Sequence, residues 1–157
     1  MQNWRGFTIL ELLVTLVIVA ILAGAVLPMA ELGVRRDKEQ TLRLALTQVR
    51  QAIDAYKLAT VQGKIAVAAG ASGYPPSLEA LAEGVPDVRD PQGAKLVFLR
   101  AVPRDPLCRD ATLGNGASWG KRSYASSAAD PKPGADVFDI YSLDAGTGLD
   151  GIAYRLW

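Results

Sequence analysis

The pattern of apolar and polar positions divides the chain into three stretches. From Phe7 to Leu27 the residues are almost continuously apolar, with one charge, Glu11, near the start. As a helix this run spans about 30 Å, the hydrocarbon thickness of a bilayer. Pro28 removes a backbone donor and predicts a kink, and Gly24 and Gly33 weaken the helix nearby. Periodic helix resumes beyond them. Leu42, Leu46, Val49, Ile53 and Tyr56 recur at spacings of 4, 3, 4 and 3, which draws one apolar stripe. Arg43, Gln48, Arg50, Gln51, Asp54 and Lys57 fall mostly on other faces. The spacing predicts one helix from Phe7 to Val61, about 80 Å long, apolar all round at first and one-sided later. The stripe covers about two heptads, fewer than a coiled coil needs, so it is expected to pack on the chain's own sheet.

The third stretch is punctuated by turns. Gly63–Gly73 is small and flexible in composition and reads as a loop, and Tyr74-Pro75-Pro76 as an extended lead-in. Ser77 is placed to cap a short helix over 77–84, with Glu79 in its first turn and Gly84 at its end. A loop punctuated by Pro86, Pro91, Pro103 and Pro106 follows, in which Lys95–Arg100 is extended or a helical turn. Arg122–Ser126, Val137–Leu143 and Ile152–Trp157 carry β-formers and read as an antiparallel meander. Laid on the helix stripe, these strands give an α+β fold: a long N-terminal helix against a small antiparallel C-terminal sheet.

Length and composition narrow the functions. The 157 residues suffice for one domain plus an appendage. The net charge of +1 argues against a nucleic-acid partner. There is no histidine, so a Ser–His–Asp or Cys–His site cannot be built. A lone cysteine, Cys108, forbids an internal disulfide and reads as a half-buried bystander. Gly120-Lys121-Arg122-Ser123 lacks the first glycine and the hydroxyl position of a phosphate loop. Trp119, Tyr124, Phe138, Tyr141 and Trp157 read as sheet core, and Asp130, Asp136 and Asp139 as turn residues rather than a catalytic carboxylate pair. An enzyme is not expected.

The ends of the apolar run bear on processing. A cleaved secretory signal has a short apolar core followed by a small residue, whereas here the small residue, Gly6, precedes the core. A cut at Gly6 removes the stub MQNWRG and leaves the apolar helix. Glu11 is costly in lipid unless it is paired or brought to water. Lying near the interface, it can snorkel. Alternatively, a cut before Phe7 creates a positive amine one helical turn away, and in a stack of helices Glu11 of one copy can meet the Phe7 amine of another. The flanking charges, Arg5 against Arg35, Arg36 and Lys38, mildly favour the C-terminal flank inside, against the orientation adopted below.

Gly6-Phe7-Thr8-Ile9-Leu10-Glu11 resembles the prepilin signal of the type IV pilins and type II secretion pseudopilins. The segments 74–81, 103–106, 119–120 and 138–143 are similar to the major pseudopilins of type II secretion. The resemblance implies a pilin fold with a leader at 1–6, a transmembrane and filament-core helix at 7–29, and a periplasmic globular domain at 30–157. It implies cleavage by a prepilin peptidase between Gly6 and Phe7, N-methylation of Phe7, and filament assembly through Phe7 and Glu11. It also matches Pro28, with Gly24, to a helix break that is either a static kink or a site of unwinding. The implied partners are further copies in a helical filament, other pseudopilins, the peptidase, an inner-membrane assembly platform and, before assembly, membrane lipid. The implied place is the inner membrane and then a periplasmic filament. No cofactor is required, but the family's C-terminal loop binds calcium. In the loop 142–151, Asp144, Thr147 and Asp150 offer hard oxygen ligands, although its spacing is not that of an EF-hand and its aspartates and glycines also suit a plain turn. Two other functions fit the same helix: a major or minor type IV pilin of a surface filament, and an anchored binding module that never polymerises.

Overall fold

The computed structural model describes residues 8–157, with the side chains of residues 24–28 and 30 left undescribed. The expected cleavage pair, Gly6 and Phe7, lies outside the described residues, and so does the side-chain packing at the expected helix break, Gly24 and Pro28. The first element, α1, is assigned as a single helix over Ile9–Val61. The chain divides into two compact units, one ending at Asp37 and the other Lys38–Trp157.

In the first unit the helix starts at a side-chain cap. The Glu11 amide donates to the Thr8 hydroxyl at 3.2 Å. Thr8 thus satisfies one of the donors that every helix N-terminus leaves open. Glu11 sits in the first turn, where its charge complements the helix dipole. Beyond it, Ile9, Leu10, Leu12, Leu13, Val14, Leu16 and their successors to Leu22 are all at least half exposed. Among the described residues no helix is long and apolar enough to cross a membrane. The spanning segment expected from sequence, Phe7–Leu27, includes Phe7 and residues 24–27, outside the described side chains.

In the second unit the expected stripe is the core. Leu42, Leu46, Val49, Ile53 and Tyr56 are buried, joined by Ala45, Ala52 and Ala59 on the same face. They pack with Leu78, Leu81, Leu99, Val102, Trp119, Val137, Ile140 and Tyr154. Each fully buried Leu or Ile contributes about 1.5–3 kcal/mol of transfer free energy. The short helix α2 spans Glu79–Glu83. Ser77 accepts the Ala80 amide at 3.2 Å, and Gly84 closes the helix at a φ of 78°, which a side chain would strain.

The strands differ from expectation. Two two-stranded antiparallel sheets replace one meander. β1 (Val85–Pro86) pairs with β2 (Lys95–Leu96), and β3 (Trp119–Arg122) with β4 (Asp139–Ser142). β3 lies earlier than the expected 122–126. The Asp136 carboxylate takes the Tyr124 amide at 2.8 Å and turns the chain there. Tyr124 is therefore 62% exposed, and of the five aromatic residues expected in the sheet core only Trp119 is fully buried. The expected third strand is a single bridge, Thr147 to Ala153, followed by a 3₁₀ turn over Tyr154–Leu156. The fold class stands as α+β, with less sheet than the β-formers suggest.

Candidate functional site

Two regions carry candidate function: the N-terminal helix of the first unit and the C-terminal loop of the second. Glu11 is exposed in the first turn of α1, surrounded by the exposed apolar side chains of Ile9–Leu22. The arrangement leaves a carboxylate on a helix whose described apolar side chains are exposed. Sequence reasoning overlooked Thr8. Its signal is the Thr-x-x-Glu spacing of a helix N-terminus.

The loop 142–151 is held internally by short-range bonds. Asp144 accepts the Gly146 amide at 2.8 Å, and Asp150 accepts the Ile152 amide at 3.0 Å. Gly148 donates to the Ile152 carbonyl at 2.8 Å, and Tyr154 to the Gly146 carbonyl at 3.2 Å. Gly148 is required by packing, because a Cβ there would lie 2.3 Å from the Trp157 ring. The second half of α1 reaches the same loop. Arg43 pairs with Asp150 at 2.8 Å. Buried Glu39 accepts the Leu149 amide at 2.9 Å and the Tyr154 hydroxyl at 2.8 Å. These contacts span more than a hundred residues of sequence and left no local signal.

The three expected calcium ligands, Asp144, Thr147 and Asp150, all lie in this loop. Calcium takes six to eight oxygens. Of the two carboxylates in the set, Asp150 is already paired with the Arg43 guanidinium. Asp144 is occupied by its own turn. Among the described residues no group of three acidic, cysteine or histidine side chains is assembled for a metal. As folded, both carboxylates of the expected set are engaged within the protein, Asp150 by Arg43 and Asp144 by the Gly146 amide.

Elsewhere an open cavity of about 610 Å³ is lined by Tyr56, Tyr74, Tyr124, Ser72 and Asp136 among small residues. Burial pushes the Tyr56 phenol above its ordinary 10.0. Tyr74 is raised as well, first by burial and then by the charges of Asp54, Tyr124 and Asp136. The Tyr74 ring stacks on Tyr124 at 5.6 Å and lies edge-on to Phe138 at 4.9 Å. Exposed Asp110 is shifted down, chiefly by the hydroxyl and amide of Thr112. Cys108 is half-buried, 3.6 Å from the Arg104 guanidinium.

The family model of the prokaryotic N-terminal methylation motif matches residues 2–27. Three curated relatives, each named type II secretion system core protein G, match most of the chain. The protein of Klebsiella michiganensis is 30% identical over 141 residues, covering 86% of this chain and 90% of the relative. The chain belongs to the type II secretion system core protein G family. Those of Pectobacterium carotovorum and Klebsiella pneumoniae are 29% and 31% identical, covering 89% and 85% of this chain and 86% and 90% of theirs. No solved structure matches the chain. The matched motif contains Gly6, Phe7 and Glu11, the residues expected to carry processing and assembly.

Proposed function

We propose that the chain is a structural subunit of a type II secretion pseudopilus, polymerised through its N-terminal helix. The observation that carries this is the methylation motif over residues 2–27, set on a helix whose described apolar side chains from Ile9 to Leu22 stand exposed in the single chain. Such a surface demands cover, first from lipid and then from neighbouring copies. In this reading a prepilin peptidase cuts after Gly6 and methylates Phe7. The filament grows in the periplasm from an inner-membrane platform, together with other pseudopilins. The chain does no chemistry of its own, and its globular unit faces outward.

Removal of the gene is expected to abolish type II secretion, and raised expression to produce filaments detected by immunogold labelling in the periplasm. Labelled filaments confined to the outer cell surface of wild-type cells, with secretion intact in the deletion strain, would instead point to a type IV pilin.

A further inference from the structure

We propose that in this chain side chains of the long helix, and not a bound calcium ion, fasten the C-terminal loop to the globular unit. Glu39, Arg43 and Arg50 lie at i, i+4 and i+11 of α1 and so share one face. All three reach the C-terminal segment. Glu39 is 6% exposed and collects two donors, the Leu149 amide and the Tyr154 hydroxyl, on one oxygen. Arg43 holds the Asp150 carboxylate at 2.8 Å and stacks over the Trp157 ring at 4.2 Å. Arg50 donates to the Trp157 main-chain oxygen at 2.7 Å, to the Ile140 carbonyl at 3.1 Å and to Asp139 at 2.8 Å. The loop is thus tied at its tip, Leu149 and Asp150, and again just beyond it at Tyr154 and Trp157.

This leaves a cation no room electrostatically. A calcium ion on Asp150 would stand beside the Arg43 guanidinium and compete for the same carboxylate. It would also have to draw Asp144 from the Gly146 amide. The task a cation performs in such a loop, gathering its turns and holding them to the fold, is already performed by one carboxylate and two guanidiniums. Stacking on Trp157 adds to the Arg43 pair, which alone would be weak at its exposure.

The test is thermal unfolding of the full chain in detergent micelles, in calcium chloride at millimolar concentration and in chelator. The wild-type midpoint is expected to be the same in both. Arg43→Gln is expected to lower it by about 2–4 °C in both. Asp150→Asn is expected to lower it by a similar amount, and the double variant by less than the sum of the two single effects, because both residues share the ion pair while Arg43 also holds Trp157. A wild-type midpoint that rises on adding calcium would overturn the proposal and restore Asp144, Thr147 and Asp150 as ligands. Strictly additive single effects would overturn it as well, because Arg43 and Asp150 would then act independently.

Discussion

Glu11→Ala or Glu11→Val is expected to leave the chain inserted in the membrane but to reduce filaments to traces. Either change removes the one charge of the apolar run, so insertion becomes easier. Assembly loses its partner for the amine that cleavage creates at Phe7. In the packed helices of a filament that amine would be left buried and unpaired, which costs about 3–5 kcal/mol per subunit. Each subunit repeats the loss, so the effect on polymer length multiplies. Part of the change is local, because Glu11 also complements the positive end of α1. Glu11→Gln separates the charge from the size and hydrogen bonding of the side chain. It keeps a hydrogen-bonding side chain in the first turn but cannot neutralise the amine, and it is expected to fail in assembly like alanine. The measurement is the yield of sheared or cross-linked filament against total membrane-bound protein. Normal filament yield from Glu11→Ala would remove the charge pair from the account.

Asp105→Ala is expected to be the most destabilising single change at a polar residue in the globular unit. Asp105 is 1% exposed, inside the Pro103–Pro106 segment. One of its oxygens accepts the Leu107 amide at 2.8 Å, and the other the Ser142 hydroxyl at 2.6 Å. Its own amide donates to Ser118, whose hydroxyl in turn donates to the Asn115 carbonyl at 2.6 Å. Ser118 and Ser142 are fully buried, so neither can turn to water. Asp105 therefore ties the proline-rich loop to β4 and to the turn that opens β3. Alanine leaves a buried donor, the Ser142 hydroxyl, and a half-buried one, the Leu107 amide, without acceptors, at about 1–3 kcal/mol each, or about 2–6 kcal/mol together. Asp105→Asn keeps one acceptor oxygen and is expected to lose about half as much. Asp130→Ala removes an ion pair exposed on both sides and is expected to change stability by less than about 0.5 kcal/mol. Urea denaturation of the three variants would rank them. Asp105→Ala within about 1 kcal/mol of wild type would mean that the carboxylate is not the tie described.

Much of the fold is legible from periodicity because helices announce themselves locally. The stripe from Leu42 to Tyr56 has the helical period and is the core face. The short α2, with Ser77 at its start and Gly84 at its end, carries its own punctuation. The strands are less legible because their limits are set from a distance. Tyr124 is a good β-former, but Asp136, twelve residues on, takes its amide and ends the ladder before it. Ile152–Trp157 alternates like a strand, yet Tyr154 turns inward to Glu39, a residue 115 positions earlier. The site divides in the same way. Glu11 stands out as a charge among apolar residues. The aspartates of the C-terminal loop resemble ligands in the sequence, whereas the pairing of Arg43 with Asp150 is a contact that no spacing encodes.

The proposed assembly turns on one chemical event, the loss of residues 1–6, because that loss would create the partner of Glu11. Mass spectrometry of the protein extracted from membranes of cells with active prepilin peptidase tests it most directly. The predicted result is a mature chain beginning at N-methylated Phe7, with the six-residue leader retained in a Gly6 variant. A chain that keeps Met1 in those cells would contradict the account, because an uncut helix has no amine at Phe7 to offer Glu11.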